Sequence, residues 1–230
     1  MTAPLIASLL PPPVAAVESF GDPAEPPPLF PEEERAIARA VESRRREFAT
    51  VRHCARQALA ALGGPRVPLL PGERGAPGWP DGFLGSMTHC RGYRAAAVGR
   101  VGAGGVVGVG IDAEPNEPLR DAGVVQLIAL PEEREMLARL AAAHPEVAWE
   151  RLLFSAKESV YKVWYPLTAK WLDFEEARLT IDPGARTFEA ELLVPGPVVD
   201  GTKIQRFAGR WVAREGLLVT AISLSRGLPE

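Results

Sequence analysis

The stretch FSAKESVYKVW, Phe154–Trp164, carries the clearest structural signal in the chain. In it and in the five residues before it, apolar side chains recur at steps of three and four, the period of one face of an α-helix. The pattern predicts a helix over residues 149–165 that packs on a core and that Pro166 ends. The apolar positions are Trp149, Leu152, Leu153, Ala156, Val160, Val163 and Trp164.

A second face of the same helix carries Glu158 and, one turn later, Lys162. One interpretation is a solvent-exposed ion pair, which would contribute roughly 0.2–0.5 kcal/mol to the helix and no chemistry. The side chains of Phe154, Tyr161 and Tyr165 project from the same side, however, and water-facing surfaces seldom hold three aromatic residues around one carboxylate. We therefore expect this face to line a cleft.

The composition of the chain is that of an ordinary globular protein, with 230 residues, 47% hydrophobic residues and a net charge of −3. This charge gives no indication of nucleic-acid binding. Residues 1–14 contain a short apolar run without a basic start, interrupted by three prolines at 11–13, which favours neither a signal peptide nor a membrane span. We expect a cytoplasmic protein, in which Cys54 and Cys90 are reduced thiols without a metal role.

An acidic pair follows a stretch of alternating valine and glycine, Val106–Ile111. Residues two apart in an extended chain point to the same side, so the carboxylates of Asp112 and Glu114 converge at the end of a strand. Such a pair is also common in purely structural positions. A hard cation such as Mg²⁺ would remove the repulsion between the two, and Glu158 on a nearby helix would make a third acidic ligand.

Basic residues cluster earlier in the chain, where apolar spacing predicts a helical region from Glu32 to Gly63. They form either a solvated face or a phosphate site, because a guanidinium group donates two aligned hydrogen bonds to an oxyanion. A hairpin is predicted next, with strands at 83–89 and 93–98, and with Ser86, Thr88 and His89 placed to bind an anion. The arginines are Arg44, Arg45, Arg46, Arg52 and Arg56.

The remaining elements are a helix that opens at Pro131 and four strands in the last third of the chain, at 177–181, 187–194, 203–213 and 217–224. Together the elements predict an α+β fold of two similar lobes, each a small antiparallel sheet with packed helices. We place the lobes at residues 1–112 and 113–230, with the active site between them. No residue-level repeat between the halves is evident.

One predicted strand, residues 203–213, has an arginine face and an aromatic face. Its arginine face is either solvated or a docking stripe for an acidic partner. The arginines, including the one that follows the strand, are Arg206, Arg210 and Arg214.

Three motifs occur in an order and at separations that resemble the phosphopantetheinyl transferases, specifically the larger monomeric type that serves peptide and polyketide synthetases. They are GSMTHCRGY (Gly85–Tyr93), VVGVGIDAEP (Val106–Pro115) and FSAKESVYKVW. The resemblance implies two α+β lobes related by a pseudo-twofold axis, with coenzyme A and Mg²⁺, or Mn²⁺ in its place, held between them. It also implies a monomer.

The resemblance assigns roles to individual residues. The metal ligands would be Asp112, Glu114 and Glu158, and the catalytic residues would be Glu158, Asp112 and Lys162. The residues that bind coenzyme A would be Asp112, Glu158, Arg44, Arg52, Arg74, Ser86, Thr88, His89, Lys157, Lys162 and Trp171. Arg45 and Arg56 are alternatives for the arginine positions. Phe154 is a further candidate along the pantetheine path.

The reaction that this resemblance implies is transfer of 4′-phosphopantetheine from coenzyme A to a serine of an apo acyl or peptidyl carrier protein, with release of adenosine 3′,5′-bisphosphate. Two other classes remain open. A Mg²⁺-dependent hydrolase of a nucleotide or coenzyme A pyrophosphate would use the same acids with water as the nucleophile. A non-catalytic coenzyme A-binding module would need the arginines and His89 but no cluster of three acids.

Overall fold

A computed structural model describes residues 4–121 and 123–226 as an α+β fold with antiparallel sheets, which confirms the predicted class. No helix in these ranges is both long enough and apolar enough to cross a membrane. The helices are α1 (Pro31–Ala36), α2 (Glu42–Ala61), α3 (Gly123–Ile128), α4 (Pro131–Ala143) and α5 (Trp149–Thr168). The strands are β1 (Ala15–Phe20), β2 (Phe83–Cys90), β3 (Tyr93–Arg100), β4 (Val106–Pro115), β5 (Ala177–Asp182), β6 (Thr187–Leu192), β7 (Val198–Val199), β8 (Thr202–Lys203), β9 (Arg206–Arg214) and β10 (Leu217–Ser225).

The first sheet has three strands in the order β1, β3, β2. Strands β2 and β3 form the predicted hairpin, which turns at Arg91 and Gly92; the latter has a φ of 79° that suits glycine. Helix α2 packs on this sheet through small side chains that allow a close approach. The contact buries Cys54, Ala55, Ala58 and Leu59 against Ala96 and Val98.

The prediction of one helical region from Glu32 to Gly63 was wrong, because the region divides into α1 and α2. The break turns α1 so that the buried carboxylate of Glu33 faces α2, where it pairs with Arg56 at 2.8 Å. The same carboxylate accepts backbone hydrogen bonds from Phe30 and Leu69. A buried carboxylate needs such partners, and one straight helix would not supply them.

The second sheet has five strands in the order β4, β10, β9, β6, β5, and α5 packs across it. Phe207 and Trp211 of β9 are buried under the helix, as the alternation along that strand predicts. The prediction that Pro166 ends α5 was wrong, since the helix continues to Thr168. A proline in the last turn removes one backbone hydrogen bond, so the helix tolerates it there. The chain leaves the helix at Ala169, which has a φ of 52°.

A short repeat, which the sequence analysis missed, begins α1 and α4. Both helices open with Pro-Glu-Glu, at Pro31 and at Pro131. Glu133 is buried like Glu33, and it accepts hydrogen bonds from the backbone of Leu130 (2.7 Å) and Leu179 (2.7 Å) and from the side chain of Lys157 (2.8 Å). Each half of the chain thus has one buried glutamate that ties a short helix to the long helix that follows it.

The predicted boundary between residues 112 and 113 falls inside β4, which pairs with β10 from Val106 to Pro115. The same strand also lies against β2 of the first sheet. The division of the chain into two lobes stays a prediction.

Candidate active site

The polar face of α5 lines a cleft of about 620 Å³ between the two sheets. Side chains from four elements and one loop meet there: α2, the loop that contains Arg74, β2, β4 and α5. The cleft therefore brings together most of the residues that the sequence singled out. Its charged or titratable lining residues include Arg44, Arg52, Arg74, His89, Asp112, Glu114, Glu158 and Lys162.

Two glycines of β4 allow α5 to lie directly on the strand. A Cβ atom at Gly110 would be 2.1 Å from the carbonyl oxygen of Ser159, and one at Gly108 would be 3.0 Å from Val163. The alternation of valine and glycine in this strand thus has a packing cause, because the glycines face the helix. Asp112 and Glu114 continue the same face of the strand and so lie beside α5.

We expect Gly110→Ala to lower the free energy of unfolding by about 1–3 kcal/mol, because the added methyl group must push α5 away from β4. Urea denaturation followed by circular dichroism measures this change. The matched control is Gly184→Ala, where the nearest atom to the new Cβ is 3.4 Å away. Equal midpoints for the two variants would contradict this packing.

Asp112 is the centre of the cleft. Its Oδ1 accepts hydrogen bonds from Nζ of Lys162 (2.8 Å) and from the hydroxyl of Thr88 (3.2 Å), and Lys162 also donates to the carbonyl oxygen of Ile111 (3.0 Å). The other oxygen, Oδ2, is buried and has no hydrogen-bond partner among the described residues. A buried anionic oxygen without a partner is costly. Oδ2 of Asp112 is therefore placed to bind a cation.

Glu114 and Glu158 add two carboxylates to the cleft. Burial raises the pKa of both carboxyl groups, and the nearby charge of Asp112 acts in the same direction. The opposing influence is Arg151, at 2.8 Å, for Glu114 and Lys162 for Glu158. Within residues 4–121 and 123–226, no three acidic, histidine or cysteine side chains are close enough to form a preformed metal site. The predicted metal ligands thus share a cleft without being assembled, because Arg151 and Lys162 hold two of the three carboxylates.

Ser86 and Thr88 line the cleft and also connect the two sheets, and their contact with coenzyme A stays a prediction. Their buried hydroxyl oxygens accept hydrogen bonds from the backbone N–H groups of Ile111 (3.2 Å) and Ala113 (3.0 Å). These N–H groups lie on the edge of β4 that faces β2. Because Thr88 accepts from the backbone, its own proton is available for Asp112. The hydroxyls thereby fix the acidic strand against the hairpin.

The basic end of the cleft holds three arginines and a histidine. Nη1 of Arg44 contacts Nε2 of His89. Arg52 is buried over the ring of Phe48 and donates to the carbonyl oxygen of Leu69; burial lowers its pKa to about 10, so it stays charged at neutral pH. The guanidinium of Arg74 lies 5.1 Å from the centroid of the Trp171 ring.

The two arginines that sequence reasoning left as alternatives have other partners. Arg56 pairs with Glu33, as described above, and Arg45 donates to the carbonyl oxygen of Ile37 at 3.5 Å. Neither residue lines the cleft. Arg44 and Arg52 are the arginines of α2 that line the cleft.

Lys157 is not directed into the cleft. It is 3% exposed, and its Nζ donates to Glu133 (2.8 Å) and to the carbonyl oxygen of Phe174 (2.7 Å). These contacts give no support to its predicted contact with coenzyme A, because both partners of the ammonium group lie outside the cleft lining. The residue instead borders a cavity of about 170 Å³ that also touches Glu158 and Tyr161.

Aromatic side chains surround the outer part of α5. Phe154, Tyr161 and Tyr165 line the cleft, and the ring of Tyr161 lies 5.2 Å from that of the half-exposed Trp171. The hydroxyl of Tyr161 is buried without a hydrogen-bond partner among the described residues. These rings and the adjoining cavity form an apolar path that starts beside Glu158.

Two charged residues of this region were missed by the sequence analysis. Arg151 lies two turns before Glu158 on α5, so helical spacing was a usable signal for it. Glu47 lies on α2 one turn after Arg44 and contacts Arg44, His89 and Arg94. Helical spacing relates Glu47 to Arg44, but nothing in the sequence places His89 of β2 and Arg94 of β3 beside it.

The arginine face of β9 does not contribute to the lining of this cleft. Arg206 is 3.3 Å from Glu189, and Arg214 donates to the carbonyl oxygen of Pro4. Arg210 lines an open groove of about 870 Å³ that also touches Glu189 and Leu9. The charged residues in its described lining are Asp182, Glu189 and Arg210. The docking role of the arginines stays a prediction.

Both halves of the sequence match known family models. Residues 32–99 match the model described as 4′-phosphopantetheinyl transferase N-terminal domain, and residues 108–196 match that of the 4′-phosphopantetheinyl transferase superfamily. The chain is 59% identical over 223 residues to the 4′-phosphopantetheinyl transferase Svp of Streptomyces mobaraensis, an alignment that spans 96% of this chain and 89% of the relative.

Two further relatives align over almost their whole length. The chain is 47% identical over 230 residues to the 4′-phosphopantetheinyl transferase PptT of Mycobacterium tuberculosis, covering 96% of this chain and 98% of the relative. It is 48% identical over 227 residues to the 4′-phosphopantetheinyl transferase Npt of Nocardia iowensis, covering 95% and 99%.

Proposed function

The chain belongs to the 4′-phosphopantetheinyl transferase superfamily, and we propose that the cleft between its two sheets is the site of phosphopantetheine transfer. The enzyme transfers 4′-phosphopantetheine to carrier proteins, with coenzyme A as the donor substrate. The acceptor is a serine hydroxyl of an apo acyl or peptidyl carrier protein. The observation that carries this assignment is the buried Oδ2 of Asp112, beside Lys162 and Glu158, which has no hydrogen-bond partner among the residues that the structure describes.

The distribution of charge along the cleft supports one orientation of coenzyme A. We assign its 3′-phosphate to the basic end, where Arg44, Arg52 and Arg74 provide charge and His89 lies beside Arg44. The pyrophosphate then reaches Lys162, and the pantetheine arm follows the apolar path along Phe154, Tyr161 and Trp171. This order runs from the most basic part of the cleft to the most apolar part.

Mg²⁺ is the cation that we assign to the acidic part of the cleft, with Mn²⁺ as a substitute. Asp112, Glu114 and Glu158 would hold it, since carboxylate oxygens are the ligands that Mg²⁺ prefers. Oδ2 of Asp112 is buried, and no side chain or backbone group in the described part of the chain is bonded to it. When bound, Mg²⁺ supplies positive charge that stabilises the pyrophosphate as its charge increases. The raised pKa values of Glu114 and Glu158 are consistent with clustered acids that a cation would stabilise.

The side chains of the cleft support an in-line displacement. The serine oxygen of the carrier forms a bond to the β-phosphorus of coenzyme A, and the bond from that phosphorus to the bridging oxygen breaks, which releases adenosine 3′,5′-bisphosphate. We assign Lys162 to stabilise the developing negative charge, because its ammonium group is fixed by Asp112 and Ile111. Glu158 is the proposed acceptor of the serine proton, directly or through water.

Intact-protein mass spectrometry tests the proposed site. An apo carrier protein is incubated with the enzyme, coenzyme A and Mg²⁺, with and without a chelator, and we expect a metal-dependent mass gain of one phosphopantetheine group. Cleavage of coenzyme A without carrier modification would favour the hydrolase alternative. Binding of coenzyme A without either reaction would favour a binding module.

The assignment of the 3′-phosphate predicts a selective defect. We expect Arg44→Gln to lower kcat/KM for coenzyme A by about 10- to 100-fold, because a charge-assisted contact is lost, and to leave kcat/KM for dephospho-coenzyme A nearly unchanged. The matched control is Arg46→Gln on the same helix, since Arg46 donates to the carbonyl oxygen of Pro23. Equal losses with both substrates would contradict the assignment.

Three broader features remain proposals. The protein acts as a cytoplasmic monomer, an assignment supported by a cleft whose two sides both come from one chain. Its lobes, residues 1–112 and 113–230, are related by a pseudo-twofold axis, and the repeated Pro-Glu-Glu start of α1 and α4 supports this. The arginine face of β9 is the proposed docking surface for acidic carrier proteins.

A further inference from the structure

Glu47 lies among three cationic or titratable side chains at the basic end of the cleft. Its Oε2 accepts a hydrogen bond from Nη1 of Arg44 at 3.4 Å and lies 3.6 Å from Nδ1 of His89. Its Oε1 lies 3.4 Å from Nη2 of Arg94, which the carboxylate of Asp22 also holds. One carboxylate thus connects α2, β2 and β3 beside the proposed phosphate site.

The contact between Arg44 and His89 defines which ring nitrogen carries the proton. A guanidinium group only donates hydrogen bonds, so Nε2 of His89 must accept from Nη1 of Arg44. The neutral imidazole then carries its proton on Nδ1, which is the nitrogen that faces Glu47. Nε2 presents a lone pair to Arg44, a residue of the cleft.

The surroundings keep this imidazole neutral in the free protein. Desolvation, together with the charges of Arg44, Arg94 and Lys162, lowers the pKa of His89 to about 4, and Glu47 is the one neighbour among these that opposes the shift. A neutral Nε2 cannot donate a hydrogen bond to a phosphate oxygen. A bound phosphate would attract Arg44 away from Nε2 and add negative charge, which favours the protonated ring.

We propose that Glu47 is a positioning residue for the 3′-phosphate of coenzyme A, because it orients His89 and stabilises the imidazolium that forms when the phosphate binds. Nδ1–H of His89 faces Glu47, and Nε2 takes up a proton from solvent and donates a hydrogen bond to the phosphate. Binding of coenzyme A near neutral pH is thereby coupled to proton uptake. The inference rests on the proposed function, since it concerns the same cleft and substrate.

Isothermal titration calorimetry at pH 7.5, repeated in buffers of different ionisation enthalpy, measures the protons taken up on binding of coenzyme A. We expect the wild-type protein to take up about one proton more than His89→Gln, and Glu47→Gln to lose at least about half of that difference and to bind coenzyme A about tenfold more weakly. Dephospho-coenzyme A is the matched ligand, and its binding should involve no proton uptake by His89.

A spectroscopic signature separates positioning from simple loss of stability. The chain has three histidines, so His89→Gln identifies the ring-proton resonance of His89. We expect that resonance to report a neutral ring at pH 7.5 in the free protein and a protonated ring in the complex. The charge-matched control is Glu42→Gln, an exposed position on the same helix, which should behave as wild type.

Equal proton uptake by the wild type and His89→Gln, or unchanged uptake and affinity in Glu47→Gln, would overturn this inference. If the wild type took up more protons than His89→Gln on binding dephospho-coenzyme A as well, the assignment to the 3′-phosphate would be overturned. If the wild-type protein neither bound coenzyme A nor modified a carrier, the proposed function itself would be overturned, which is a distinct result.

Discussion

Replacing Asp112 with asparagine is expected to lower kcat/KM for carrier modification by about 10²–10³-fold or more, while the fold stays intact. Asparagine keeps the size of the side chain and an acceptor for Lys162 and Thr88, but it removes the negative charge from the buried Oδ2. The variant should also lose the stimulation of the wild-type rate by added Mg²⁺. Carrier mass spectrometry across a range of Mg²⁺ concentrations measures both effects.

The same variant distinguishes a functional residue from a structural one. A buried carboxylate oxygen without a partner costs free energy, so its neutralisation should lower the free energy of unfolding by no more than about 1 kcal/mol, even though Lys162 loses an ionic partner. The control is Asp81→Asn, an exposed position before β2. Activity above a tenth of the wild-type value in Asp112→Asn, with Mg²⁺ present, would remove the proposed metal site.

The sequence predicted those parts of the site that depend on local periodicity. The spacing of apolar residues located α5 and its second face, and the two-residue step from Asp112 to Glu114 placed both carboxylates on one side of β4. Each signal reflects geometry within one element, 3.6 residues per helical turn and two per strand repeat. Such signals can be read from the sequence without knowledge of the tertiary fold.

The ion pairs between side chains of different helices and strands could not be predicted in the same way. Lys157 and Lys162 occupy one motif, yet the first pairs with Glu133 and the second with Asp112. Arg56 and Arg52 were likewise equivalent candidates in the sequence, and they differ in the structure because the break between α1 and α2 places Glu33 beside Arg56. These outcomes depend on which buried carboxylate lies within reach, and that is decided by packing between elements distant in sequence.

Replacing Glu158 with glutamine is expected to lower kcat for carrier modification by about 10²–10⁴-fold. Glutamine has nearly the same shape but cannot accept the serine proton or contribute a negative charge. Glu158 faces the cleft, and its carboxylate makes no hydrogen bond to another described residue. The replacement should therefore not disturb the packing of α5. Single-turnover measurements with saturating coenzyme A report the chemical step.

Affinity for coenzyme A separates this role from a role in binding alone. Because the arginines and His89 are untouched, the dissociation constant of coenzyme A without added Mg²⁺ should change by no more than about threefold in Glu158→Gln. The matched control is Glu150→Gln, in the first turn of the same helix and exposed. If weaker binding of coenzyme A accounted for the whole loss of activity in Glu158→Gln, Glu158 would act in binding and not as the proton acceptor. The base would then be one of the other carboxylates of the cleft, with Glu114 the first candidate.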